Sequence, residues 1–204
     1  MPNWCANAVS LSIGEDTTEE GKELFNLIML NQGKNFCNLV IPVPEELVNP
    51  EASTFGGDDA AKRDELRSSL KEKYGYESWY DFCVSEWGTK WDVHELTYDP
   101  DSNTYINLYF DTAWSPPVGV YQKLEELGVN VEASYIEQGC AFIGYYSSTK
   151  GEETLNFNEV YGEYLDEADF ESQDEFYYAL NQQEDLLLEW FDTKGLPTPA
   201  HFGG

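Results

Sequence analysis

Residues 104–147, TYINLYFDTAWSPPVGVYQKLEELGVNVEASYIEQGCAFIGYYS, decide the fold. Ile106, Leu108 and Phe110 recur at every second position, as a half-buried strand requires. A helix signal follows: Ser115 is placed to cap, Pro116 suits the first helical position, and Gly128 ends the run. Val120, Tyr121, Leu124 and Leu127 fall on one face of that helix. Two alternating strands then come, joined by a tight turn at Gln138-Gly139.

Upstream, residues 3–13 put Val9, Leu11 and Ile13 on one strand face. A helix capped by Asp16 or Thr17 and stopped by Gly33 carries Leu24, Phe25, Leu27 and Ile28. FCNLVIPVPEEL, broken by Pro42 and Pro44, reads as an edge strand or extended segment. Residues 49–74 are a polar excursion with one short helix, holding five of the eleven basic residues. Tyr76, Trp79 or Tyr80, Cys83 and Trp87 then form a helical stripe ended by Gly88. A strand with Trp91 and Val93 on one side and Asp92 and His94 on the other follows, and DPDSN is its turn. The resulting order is βαββαβ with an added hairpin strand: an α+β, ferredoxin-like antiparallel sheet with helices on one face, over residues 1–150.

Residues 151–204 differ. They carry −13 of the formal net charge of −28, and ESQDEFYYALNQQEDLLLEWFDTKG reads as one long helix ended by Gly195 and Pro197. Phe176, Leu180, Leu187 and Phe191 line one side of it, an apolar face predicted to pack on the open side of the sheet. The expected organisation is therefore a domain over 1–150 and an acidic helical extension over 151–204.

Charge and cysteine usage exclude whole classes. A field of −28 repels nucleic acid and anionic membranes, so neither is an expected direct partner; it attracts basic proteins. Cys5, Cys37, Cys83 and Cys140 make no C-x-x-C pair, which suits a reducing cytoplasm better than a zinc or disulfide scaffold. MPNWCANAVSLSIG lacks the pattern of a signal peptide, and no apolar run reaches the roughly 18 residues of a membrane span.

At MPNWCANAV, IPVPEEL, YGYESWYDFCVSEWGTKWD, FDTAWSPP and YIEQGCAFIG the chain resembles the YubB/Api-type family. The likeness runs in order over roughly residues 1–150. It implies a ferredoxin-like fold and a home on plasmids and phages, and it assigns no catalytic residue. The acidic residues from about 151 lie outside it.

Three chemistries can be read from the residues. Cys83 as a nucleophile would need His94 as base and Asp92 to orient the imidazole, whereas its place on the Trp79–Trp87 stripe is that of a core thiol. DPDSNTYINLYF begins like a calcium loop but has Thr104 at the sixth position and Phe110 at the twelfth, so a turn is expected and no metal or cofactor. Tyr105, Tyr109 and Trp114 resemble a base-stacking row, but without a basic groove; Trp4, Trp87, Trp91 and Trp114 are instead expected in the core.

The acids remain. Asp166, Glu167, Asp169, Glu171, Asp174, Glu175, Asp185, Glu189 and Asp192 are the expected partner-binding residues, facing a basic host protein that itself handles nucleic acid or serves defence. From Glu171 to Asp192 the helix would rise about 32 Å, over which a DNA strand presents about nine phosphates. The outward stripe alone is a thinner comb, so nucleic-acid mimicry would draw on the acids upstream. The sequence thus predicts a binding protein acting in a host cytoplasm, with a small Cys/His enzyme as the alternative.

Overall fold

The computed structural model describes residues 3–48, 60–139, 142–161 and 169–199. Among these, one six-stranded antiparallel sheet runs in the order β2-β3-β1-β4-β5-β6. Its strands are β1 (Trp4–Ser12), β2 (His94–Ser102), β3 (Tyr105–Ala113), β4 (Asn130–Glu137), β5 (Phe142–Ser147) and β6 (Gly151–Asn156). The order β2-β3-β1-β4, with α1 (Glu19–Leu30) after β1 and α5 (Val118–Glu126) after β3, is the ferredoxin-like arrangement. Alternation sets the pairing: with Val9 opposite Leu108 and Leu11 opposite Ile106, both strands turn their apolar sets to one side. The sheet also continues past residue 150, because β6 pairs with β5 from Gly151 to Asn156.

Helices between the strands cover one face. α1, α2 (Phe36–Val40), α3 (Ala60–Tyr74), α4 (Trp79–Phe82) and α5 share a core built from Phe25, Ile28, Phe36, Phe82, Tyr121 and Leu124 with Val9, Leu11, Ile106 and Leu108 of the sheet. Two close backbone approaches depend on glycine. A Cβ on Gly21 would stand 2.4 Å from the Leu127 carbonyl, and one on Gly119 would stand 2.0 Å from the Glu86 carbonyl.

Several local expectations are corrected. Thr18 caps α1, its hydroxyl accepting from the Gly21 amide, while Thr17 turns inward to the Gly128 carbonyl. FCNLV is a short helix, not a strand, because the Asp92 carboxylate, 54 residues further along the chain from Asn38, accepts the amides of Cys37 and Asn38 at 3.0 Å each. Residues 88–93 are irregular, β2 starts only at His94, and it absorbs Asp99–Ser102, which leaves the turn at Asn103-Thr104. Pro117 occupies the cap position of α5, and the Ser115 hydroxyl goes to the Gly88 carbonyl instead.

Among the described residues, the other face is covered by segments that follow β6. Behind α6 (Phe157–Tyr161), the long helix α7 (Gln173–Thr193) lays Leu187 and Phe191 on Ala6, Ile136, Ile143 and Phe157. Of the four apolar residues expected on this side of the helix, Leu187 and Phe191 are buried there, while Phe176 and Leu180 are only half-buried.

Candidate functional site

α7 is well delimited. Ser172 accepts from the Glu175 amide at 3.3 Å, and Asp174 and Glu175 lie where the helix dipole favours negative charge. At the other end Leu196 donates to Phe191 and Gly195 to Asp192, with Gly195 at φ 61°, closing the helix as a Schellman motif. Lys194, the single cation of residues 151–204, is bound to Glu153 at 2.7 Å and covers the rings of Tyr145 and Trp190. It ties the helix to the sheet and leaves the outer face wholly anionic.

That outer face carries Asp174, Glu175, Asp185, Glu189 and Asp192, all exposed, on the side turned away from Leu187 and Phe191. Asp169 and Glu171 are exposed just ahead of the helix. Asp166 and Glu167 lie outside the described residues. The stripe is not purely ionic: Tyr178 projects from its middle at 66 % exposure, and Tyr177, Leu186 and Leu188 are exposed along its flanks. Sequence reasoning placed the carboxylates but passed over these apolar companions, which it could have found on the same wheel.

Cys83, Asp92 and His94 are placed in three different environments. Cys83 is a core residue in a single π-helical turn (Cys83–Trp87), and burial together with the Asp92 charge pushes its thiol up to about 12. Asp92 spends both oxygens on backbone amides, those of Cys37, Asn38 and Val93. His94 is exposed at the sheet edge, stacked on Trp4 with ring centroids 4.7 Å apart, and among the described residues it makes no hydrogen bond to Asp92 or Cys83. The arrangement offers the thiol no base and a neighbouring charge of the wrong sign for a thiolate.

His94 does meet other acids. It pairs in register with Asp111, a bulge follows, and Glu95 adopts φ 48°, so that donor atoms of His94, Glu95 and Asp111 lie within 4.8 Å of one another. Three such donors could hold a divalent cation. Nothing in the linear spacing points to this group, because it depends on strand register.

The tryptophans divide, contrary to expectation. Trp87 is core, with its indole N–H on the Ile41 carbonyl at 2.9 Å, and Trp4 is half-buried. Trp91 and Trp114 are 38 % and 40 % exposed. They flank the Lys90 ammonium, which sits 4.4 Å from the Trp91 ring, 5.1 Å from Trp114 and 5.7 Å from Tyr80. The late start of β2 explains the change: with residues 88–93 outside the sheet, Trp91 has no inward-facing strand position.

Residues 86–189 match the model of the family described as the ferredoxin-like domain in Api92-like protein. A solved structure of the protein Api92 from Yersinia pseudotuberculosis is similar at 11 % identity and a TM-score of 0.40, with 76 % of this chain and 98 % of that chain covered. A search of curated proteins gave no match.

Proposed function

We infer the function from the premise that this chain belongs to the family of Api92-like proteins with a ferredoxin-like domain, matched over residues 86–189. It is an accessory protein that acts by binding: the outer face of α7 engages a basic surface on another protein. The finer setting, a phage- or plasmid-borne protein meeting a nucleic-acid-handling or defence protein in the host cytoplasm, follows from the resemblance and from a charge that suits a target built to hold phosphates.

The observation that carries this reading is the composition of the face. Carboxylates serving solubility alone need no tyrosine among them, whereas Tyr178 stands exposed on the same outer stripe, about one turn after Asp174 and Glu175 and about two turns before Asp185. An exposed tyrosine on a stripe of carboxylates is the make-up of an interface anchor. The same mixture argues for a protein surface over strict imitation of a DNA strand, which would present charge at regular intervals and no apolar group.

The test is capture from host lysate at low and high salt, comparing the full chain with Tyr178→Ala and with Asp185→Lys/Glu189→Lys. A specific partner should be retained at low salt, shed at high salt, and lost with either variant. Identical retention by all three proteins, or indifference to salt, removes the reading.

A further inference from the structure

We propose that the cleft between α4 and the loop after β3 binds a small planar aromatic anion of the nucleoside monophosphate class, its ring on Trp114 and its charge on Lys90.

The first observation is an unspent cation. In a chain with 39 acids and 11 bases, Lys22, Lys71, Lys73, Lys123, Lys150 and Lys194 each sit in an ion pair. Lys90 pairs with no carboxylate among the described residues; its neighbours are the faces of Tyr80, Trp91 and Trp114. Aromatic rings steady an ammonium without neutralising it, so its charge and donors stay available to an incoming anion.

The second observation is how Trp114 is held. Its backbone is left-handed at φ 72°, a conformation that a bulky residue adopts only when its surroundings impose it. They do. Its amide donates to the Asn3 carbonyl at 2.9 Å, and buried Thr89 donates to the Ala113 carbonyl at 3.0 Å. Buried Thr112 donates to the Ser115 carbonyl at 2.8 Å, and Ser115 in turn to the Gly88 carbonyl. Hydrogen bonds on both sides of Trp114 in the chain thus fix its left-handed backbone, and the indole is left 40 % exposed.

The third observation is the space. A cleft of about 540 Å³ is lined by Trp79, Tyr80, Trp114, Lys90 and Arg67 together with Glu77, Ser78 and Asp81. That is the size of a small-ligand pocket. Glu77 is committed to Lys71, and Asp81 accepts from Ser78. A flat ring can stack on the Trp114 indole while its anionic group takes the Lys90 ammonium, with Arg67 adding positive potential. A chain charge of −28 and the two acids in the lining disfavour a polyanion, which restricts the ligand to one bearing a single phosphate or carboxylate.

The experiment is a titration of the full chain with 5′-AMP and 5′-UMP, read by tryptophan fluorescence and by ligand-observed NMR. Adenosine, inorganic phosphate and a short oligothymidylate serve as parallel ligands. Expected is saturable binding of the monophosphates, with adenosine and phosphate each weaker by about tenfold or more, since either lacks half of the contact. Lys90→Ala should weaken the monophosphates by about tenfold while Lys90→Arg retains them. Trp114→Gly, which suits the left-handed backbone and so keeps the fold, should abolish them. No saturation up to about 1 mM overturns the proposal. So does equal binding of adenosine and AMP, tighter binding of the oligonucleotide than of the monophosphates, or full affinity in folded Lys90→Ala. The face on α7 is untouched by these variants, so the two readings fail separately.

Discussion

The two faces of the sheet are built on different terms. The first is closed by five helical segments, and its core is stitched to the chain by polar groups: Asn7 joins Thr112 and Tyr121, and Thr17 and Thr18 reach the carbonyls of Gly128 and Leu127. The second is closed by one helix resting on Leu187 and Phe191, with Ser134 donating to the Pro197 carbonyl and Lys194 gripping Glu153. The two differ in how they are held, although the matched ferredoxin-like domain runs over residues 86–189 and so takes in most of α7, which was expected to lie outside the family's part of the chain. α7 carries six carboxylates and no cation, and those of Asp174, Glu175, Asp185, Glu189 and Asp192 lie on the side turned away from its packing contacts, so variation there is expected to leave the sheet standing.

The largest expected effect tests the first face. Phe25 is fully buried between α1 and the sheet, and Phe25→Ala should cost about 3–5 kcal/mol in urea unfolding. All probes, near-UV and far-UV dichroism included, should move together. A loss below 1 kcal/mol would show that this face is not the cooperative unit.

Phe191 is buried as completely, yet Phe191→Ala should cost less, about 2–3 kcal/mol, because α7 can lift away instead of leaving a cavity. Hydrogen exchange gives the sharper readout: amides of 173–193 should exchange faster while those of β1, β3 and β4 stay protected. If the strands lose protection as well, the two faces are one unit and the comparison fails.

The same contrast explains what could be read in advance. β1, β3, α5 and β4 announce themselves by period and punctuation, and α7 by a wheel with two opposed sides, because each is specified within its own residues. The misread parts depend on partners far off in the chain. FCNLV became a helix through Asp92, and Ser115 left its cap for Gly88. Ring size, and for Trp91 strand alternation with Val93, point both tryptophans to the core, where the late start of β2 and the φ of Trp114 decide otherwise. The carboxylates of α7 were legible as a face. The cage around Lys90 was not, since it unites residues 80, 90, 91 and 114 through irregular backbone.

A third effect should appear at alkaline pH and act on the first face alone. Burial raises the thiols of Cys37 and Cys83, the latter to about 12, from an ordinary value near 8.5. A raised folded value means the unfolded state loses its proton first. The stabilisation is therefore complete below about pH 8.5 and declines as pH rises, by about 1.4 kcal/mol per unit for each thiol, until the folded value is passed. Cys83→Ala should flatten this slope by one proton in urea melts from pH 8 to 10.5; an unchanged slope would place the titration elsewhere.

The smallest effect on stability is expected where the largest effect on association is sought. Asp185 and Glu189 touch solvent on the outer side of α7, so Asp185→Asn/Glu189→Gln removes no packing. The total charge of −28 makes each carboxylate slightly repelled by the rest, and its removal should raise the melting midpoint, by a margin within about 0.5 kcal/mol that vanishes in high salt. The sign carries the meaning. Carboxylates placed to stabilise the fold would cost stability when lost, whereas a stripe kept against mild self-repulsion needs a reason outside the folded monomer. A drop in the midpoint at low salt would return these groups to the fold and take away the reason to seek a basic partner for them.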